Sequence, residues 1–141
     1  MRDVSVRWDG RETTARIYEA SSATATLVLA HGAGAGQHSA FVVDFAKALA
    51  ALGLDVVTFN FHYTEQKRRV PDKAPVLEAC YRAVVEVVRD EVASAARALF
   101  IGGKSMGGRM ATHIAAADRA LPIEGVVLLG YPLHPPGRPD R

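Results

Sequence analysis

Apolar residues at the start of this chain alternate with polar ones. Val4, Val6 and Trp8 are separated by Ser5 and Arg7, which is the period-two pattern of a half-buried strand. Asp9-Gly10 follows as a turn signal, so residues 13–18 are predicted to return as a second strand. We therefore expect the chain to begin with an antiparallel β-hairpin.

Farther along, the apolar residues form continuous runs instead of alternating. Such runs are typical of parallel strands that are covered on both faces. Between them, apolar residues at helical spacing predict three helices. The predicted strands are 26–30, 55–59, 98–101 and 125–129, and the predicted helices are 41–52, 75–92 and 106–117. This order favours one α/β domain over residues 1–141, a three-layer sandwich with a mostly parallel sheet and right-handed crossovers. The proline-rich residues 132–139 predict a loop or linker.

The segment Gly103-Lys-Ser-Met-Gly107 matches the pattern G-x-S-x-G. In that pattern a strand enters, the chain reverses sharply at the serine, and a helix leaves, so the hydroxyl stands exposed above the sheet. The apolar strand before it and the small residues after it fit this arrangement. Gly103-Lys-Ser105 also resembles the end of a phosphate-binding loop, but that motif requires a glycine where Ala98 stands. We predict that Ser105 is a nucleophile.

A second glycine-rich segment, residues 31–36, follows the predicted strand at 26–30. It fails the dinucleotide-binding fingerprint, because Gln37 and Ser39 occupy the positions of the third glycine. As an oxyanion loop it fits, since small residues let backbone N–H groups approach developing negative charge. The predicted donors are the N–H groups of Ala33 and Met106, and the predicted substrate loop comprises His31, Gly32 and Gly34. The alternative, a flexible turn with no role in catalysis, stays open.

Composition excludes several classes of protein. The 141 residues are 49% hydrophobic and 23% charged, as in soluble globular proteins, and the net charge of +2 is too small to indicate a nucleic-acid surface. No apolar stretch resembles a signal peptide or a membrane span. A single cysteine, Cys80, cannot form an internal disulfide, and no His, Asp or Glu spacing indicates a metal. We expect a cytoplasmic protein with no cofactor, no nucleic acid and no membrane partner.

Three segments together resemble a known family. They are His31–Gly36, Gly102–Met110 and Leu129–Gly137, and they look like small bacterial α/β-hydrolases of the dienelactone-hydrolase-like type. These are similar in turn to testis-expressed hydrolase-like proteins and to an NSL acetyltransferase-complex subunit. The resemblance implies an α/β-hydrolase fold in which Ser105 matches the nucleophile. It covers the chain from Leu27 onward.

The sequence also departs from that family. Family members continue past the proline-rich loop with further strands and helices, which carry the catalytic acid and histidine in the chain order Ser, Asp, His. Residues 1–141 correspond to about the first two thirds of that fold. Of the five histidines, His62 and His134 follow strands at the carboxyl edge of the sheet, where ligands bind in such folds. These two are the candidate bases, although neither is oriented by an identifiable acid.

The function that follows is hydrolysis of an ester or related acyl bond in a small substrate. Two alternatives stay open, a catalytically inactive binding or scaffolding module and a truncated fragment. The strand at 125–129 would be an apolar sheet edge without a following helix, and such edges promote pairing with other chains. We therefore expect homodimers or other self-association.

Overall fold

The computed structural model of the chain describes residues 1–131. Its elements follow the order expected from the sequence, and predicted boundaries differ by at most three residues. The strands are β1 (Arg2–Trp8), β2 (Arg11–Tyr18), β3 (Thr26–Ala30), β4 (Asp55–Phe59), β5 (Leu99–Lys104) and β6 (Gly125–Leu129). The helices are α1 (Ala40–Ala51), α2 (His62–Glu65), α3 (Ala74–Glu91) and α4 (Met106–Ala117), with a 3-10 turn at Ala93–Ala96.

All six of these strands form one sheet in the order β1-β2-β4-β3-β5-β6. The predicted hairpin is confirmed: Trp8 pairs with Arg11 across a two-residue turn, and Asp9 and Gly10 both have positive φ, as a type I′ turn requires. Strand β2 also pairs antiparallel with β4, whereas β3, β4, β5 and β6 run parallel to one another. The sheet is therefore mostly parallel with an antiparallel edge, as the sequence predicts.

Helices cover both faces of this sheet and make the fold a three-layer sandwich. Helices α3 and α4 bury the larger apolar cluster, to which Tyr81, Val84 and Ile114 belong. Helix α1 buries the smaller one on the other face through Val42 and Ala46. Strands β3 and β4 are buried along their whole length, which explains why their sequences do not alternate.

Two short elements have no counterpart in the sequence prediction. Helix α2 is a single turn of four residues, and the 3-10 turn is equally short. Apolar periodicity needs a longer window to be visible, so elements of this length leave no such pattern. No helix within residues 1–131 is long and apolar enough to cross a bilayer.

Candidate active site

Ser105 lies at the sharp reversal between β5 and α4. Its φ of 52° and ψ of −113° fall outside the conformations that side chains with a Cβ usually adopt. Its N–H donates to Leu129 O at 2.9 Å, and its carbonyl accepts the N–H of Arg109 at 3.0 Å. The backbone is thus fixed by β6 on one side and by the helix on the other, and the side chain is left partly exposed.

The glycines on either side of Ser105 are required by backbone contacts. A Cβ on Gly103 would lie 2.6 Å from Gly107 C and 2.7 Å from Ala30 O. A Cβ on Gly107 would lie 2.6 Å from both Ala30 O and His31 O. Real Cβ atoms do not approach backbone atoms this closely. The strand, the helix and the end of β3 therefore pack backbone against backbone around the serine.

The loop after β3 lies beside Ser105. A Cβ placed on Gly32 would lie 3.6 Å from Ser105 Cβ and 3.3 Å from Lys104 O. The loop then turns: Gly34 has φ of 75°, and the Ala35 N–H donates to Gly32 O at 3.3 Å. The structure thus brings together Ser105 and the predicted substrate loop.

Both backbone amides predicted to bind an oxyanion are free of backbone acceptors among residues 1–131. Met106 is the first residue of α4, where helical N–H groups have no partner within the helix. The Ala33 N–H also donates to no carbonyl in this part of the chain, and Ala33 itself is exposed. Within residues 1–131, two amides without a backbone partner therefore lie near Ser105, one at the start of α4 and one in the substrate loop.

His31 does not line the substrate loop with its side chain, which corrects that part of the prediction. The ring is fully buried, and burial lowers the pKa of His31 below its usual value. Its Nε2 accepts the N–H of Phe61 at 3.0 Å, and its Nδ1 lies 2.8 Å from Gly32 O. Both ring nitrogens are occupied inside the protein, so His31 contributes hydrogen bonds beneath the loop and no contact to a substrate.

A buried polar network ties the far end of this loop to the sheet. Asn60 Oδ1 accepts the N–H of Gln37 at 2.9 Å, and the Gln37 side chain donates to Thr14 O at 2.9 Å. The Asn60 amide donates in turn to Glu65 Oε2 at 2.9 Å. Sequence reasoning missed these residues, because an isolated Asn or Gln carries no periodic signal. The loop is therefore fastened at both ends.

His62, one of the two candidate bases, lies against the N-terminal hairpin. Its Nδ1 is 2.8 Å from Glu12 O, and its ring packs edge-on against Trp8 at 5.8 Å. Strand β2 lies on one side of β4, whereas β3 and then β5 with Ser105 lie on the other. The structure does not bring His62 to Ser105. The second candidate base, His134, lies outside the described residues.

The remaining histidines and the single cysteine are not close to Ser105 in any contact of the described residues. His113 Nδ1 lies 3.8 Å from Glu78 Oε2 between α4 and α3, and His38 is exposed before α1. Cys80 is fully buried, and burial raises the pKa of its thiol to about 12, which leaves it unreactive as a thiolate. Across residues 1–131 no three His, Cys, Asp or Glu side chains are close enough together to hold a metal ion.

The surface around Ser105 carries apolar and cationic side chains. Lys104 is exposed, and its Nζ lies 4.3 Å from the centre of the Phe41 ring. Phe41 is 41% exposed and stacks on Phe45, so α1 presents an aromatic surface near the serine. Farther along the loop, a groove of about 530 Å³ runs from Gly34 to Ser39 and is closed on its other side by Thr64 and Lys67; Ser105 itself does not line it. These groups can contact the non-reacting parts of a substrate.

A family model described as an alpha/beta hydrolase domain matches residues 23–141. Among solved structures, the fold is similar to a dienelactone hydrolase from Anabaena variabilis, with a TM-score of 0.78 and 21% sequence identity over 92% of this chain and 62% of that one. It is also similar to a lidless serine hydrolase from Xanthomonas campestris, with a TM-score of 0.75 and 22% identity over 90% of this chain and 59% of that one.

An alpha-beta serine hydrolase homologue from Coxiella burnetii matches with a TM-score of 0.73 and 19% identity, over 90% of this chain and 61% of that one. At this identity the likeness is one of fold. The chain spans about three fifths of the length of these three structures.

Proposed function

The chain belongs to the α/β-hydrolase family, and from that premise we propose that it is a serine hydrolase that cleaves an ester or related acyl bond. Ser105 is the nucleophile of this proposal. The observation that carries it is the left-handed backbone of Ser105 between β5 and α4, held by glycines that no other residue could replace without a backbone clash. Strain of this kind is costly and is typical of functional positions.

The chemistry proposed at this site is acyl transfer to water. Ser105 Oγ attacks the carbonyl carbon of the substrate and its proton passes to a base, while the carbonyl oxygen becomes an oxyanion. The N–H groups of Met106 and Ala33 donate to that oxyanion, with the N-terminal end of α4 adding a favourable dipole. Collapse expels the alcohol, which takes the proton, and leaves an acyl-serine. Water then gives a proton to the base and attacks the acyl group, and the same two N–H groups bind the second oxyanion. Its collapse releases the acid, and the base returns the proton to Ser105 Oγ.

The proposal assigns the proton transfer to His134. Of the two candidate bases named from the sequence, His62 is bound to the hairpin, which leaves His134. His134 follows β6, which lies beside β5 in the sheet. A base must reach Ser105 Oγ within hydrogen-bond distance, directly or through one water.

The experiment compares wild type with Ser105→Ala in the release of p-nitrophenol from short-chain acyl esters. A matched control is Ser21→Ala, which removes an exposed serine hydroxyl between β2 and β3. We expect wild type and Ser21→Ala to hydrolyse the esters at equal rates and Ser105→Ala to fall to the rate of the buffer. Equal rates in all three proteins would remove Ser105 from the mechanism.

Covalent labelling separates the proposed enzyme from an inactive binding or scaffolding module. A fluorophosphonate phosphonylates an activated serine with loss of fluoride, and peptide mass spectrometry locates the adduct. The proposal expects one adduct, on Ser105, in wild type and none in Ser105→Ala. An inactive module predicts no adduct in either protein, and that result would contradict the proposal.

A further inference from the structure

We propose that His31 is a positioning residue that fixes the Ala33 N–H as an oxyanion donor by holding the carbonyl of Gly32. The inference rests on the proposed function, because the Ala33 N–H has an oxyanion to bind only if Ser105 attacks an acyl group. His31 itself does not touch the substrate in this chemistry. It begins with the two hydrogen bonds of the buried ring. One leads to Phe61 in the loop after β4, and the other leads to Gly32, next to Ser105.

The bond to Phe61 determines which ring nitrogen of His31 carries the proton. A backbone N–H can only donate, so the Nε2 that receives the Phe61 N–H at 3.0 Å must be an unprotonated acceptor. In a neutral imidazole the hydrogen then resides on Nδ1. Nδ1 lies 2.8 Å from Gly32 O, a carbonyl that can only accept. The ring is therefore the neutral Nδ1–H tautomer, and it donates to Gly32.

Burial keeps the ring in this neutral form. His31 is fully buried, and its neighbours include the aromatic rings of Phe61, at 5.1 Å, and Tyr63, at 6.2 Å. Among residues 1–131 no charged side chain shifts its pKa, which is set by burial and by the bond to Gly32. A second proton on Nε2 would place two donors against each other at the Phe61 contact. Phe61 is itself fully buried, so its N–H has no route to water in place of the ring.

The bond to Gly32 sets the direction of the next amide along the chain. Gly32 O accepts from His31 Nδ1 on one side and from the Ala35 N–H at 3.3 Å on the other. The peptide that joins Gly32 to Ala33 is planar and trans, so its N–H points opposite to its C=O. With the carbonyl held inward by two donors, the Ala33 N–H must point outward, away from His31 and Ala35. Neither the His31 side chain nor the Ala35 amide needs to contact the substrate.

This direction matters because Gly32 adjoins the nucleophile. The Cβ position of Gly32 lies 3.6 Å from Ser105 Cβ, and the Ala33 amide belongs to the residue that directly follows this contact. Without the His31 donor, the flexible Gly32 can rotate its carbonyl, and the Ala33 N–H rotates with it. Oxyanion stabilisation depends on donors that are already oriented, and displacement by about 1 Å can cost about a hundredfold in rate. His31 would then act on kcat through the backbone.

Two substitutions of similar size separate the two hydrogen bonds. In His31→Asn the side-chain amide reaches the former place of Nδ1 and can still donate to Gly32 O, but nothing accepts from Phe61. In His31→Gln the longer side chain places an acceptor near the former Nε2 and leaves Gly32 O without its donor. Both variants lose the buried ring and its packing. Their comparison therefore sets the loss of the bond to Gly32 against the loss of the bond to Phe61.

We expect kcat for p-nitrophenyl esters to be about tenfold to a hundredfold lower in His31→Gln than in His31→Asn, with KM little changed. The rate of phosphonylation of Ser105 should fall by the same factor. Ser94→Ala is the control for stability alone. It breaks the bonds of a buried hydroxyl to Thr26 and Asp55 at the amino end of the sheet, so it should lower the melting temperature and leave kcat unchanged.

Equal kcat in the two His31 variants, or a difference carried entirely by KM, would overturn the inference. A wild-type measurement decides the matter if neither variant folds. Nitrogen NMR of the imidazole should show the Nδ1–H tautomer, and the Ala33 amide proton should move downfield when Ser105 is phosphonylated. An Nε2–H tautomer or an unmoved amide would contradict it. If wild type forms no adduct, the proposed function fails, while the tautomer still tests the hydrogen bonds.

Discussion

Replacing Ser105 by glycine should make the folded chain more stable, although it removes the proposed nucleophile. Ser105 combines φ of 52° with ψ of −113°, and a Cβ is unfavourable in that conformation. Glycine adopts positive φ without this steric cost. The stability of the Ser105→Gly variant therefore measures how much strain the fold maintains at the reversal between β5 and α4, called the elbow below.

The size of the effect follows from two opposing contributions. A non-glycine residue in such a backbone conformation costs about 1–3 kcal/mol. Glycine in turn costs about 0.5–1 kcal/mol because its unfolded state is more flexible. The difference predicts a gain of about 1 kcal/mol in the free energy of unfolding, with a range of roughly 0–2.5. For a chain of 141 residues this raises the melting temperature by about 4 °C.

Urea unfolding followed by circular dichroism, together with thermal melts, gives the free energy. Ser105→Ala is the reference, because it also lacks the hydroxyl and keeps the Cβ. Ala48→Gly, at an exposed position of α1, shows the ordinary effect of glycine and should lose about 1 kcal/mol. A Ser105→Gly protein that is less stable than Ser105→Ala would refute the argument from backbone strain.

Three further predictions concern packing, protonation and association. Gly103→Ala forces a Cβ to within 2.6 Å of Gly107 C, so it should cost about 3 kcal/mol or more in urea unfolding; a loss below about 0.5 kcal/mol would show that the elbow yields easily. Burial lowers the pKa of His31 in the folded chain, so below the unfolded value of 6.5 the unfolded state binds more protons and stability should fall with decreasing pH. His31→Asn should remove that part of the pH dependence, and an unchanged slope would exclude His31 as its source. Finally, Leu128 is 43% exposed on β6, the edge strand of the described sheet, and we propose that this edge pairs with a second copy of the chain. Size-exclusion chromatography should show self-association that Leu128→Lys weakens. A monomeric wild type would contradict the proposal.

The fold could be predicted because its elements are long and locally consistent. Strands such as β3 and β4 are uninterrupted apolar runs, and Asp9-Gly10 prescribes the turn of the hairpin. The order of strands within the sheet was not predicted. Strand β3 lies between β4 and β5, and nothing in its five residues indicates which neighbours it has. That order depends on the crossovers of the whole chain.

The candidate site, like the fold, could be predicted from the sequence only in part. The glycines around Ser105 mark a backbone requirement that the sequence shows directly, and the structure explains each of them by a contact. The surroundings of a histidine are not visible in the sequence. His31 and His62 both follow strands at the carboxyl edge, yet one ring is buried under the glycine loop and the other lies against Trp8. Their environments come from residues 30 and 50 positions away.

The direct packing of Gly103 and Gly107 on the carbonyls of Ala30 and His31 has an evolutionary consequence. Main-chain atoms fix the spacing between the elbow at Ser105 and the substrate loop after β3. Most side-chain replacements elsewhere therefore leave that spacing unchanged. Descendants of this chain could exchange Lys104, Phe41 or the residues of the neighbouring groove and acquire new substrate preferences. The geometry on which the proposed bond cleavage depends would meanwhile be inherited unchanged.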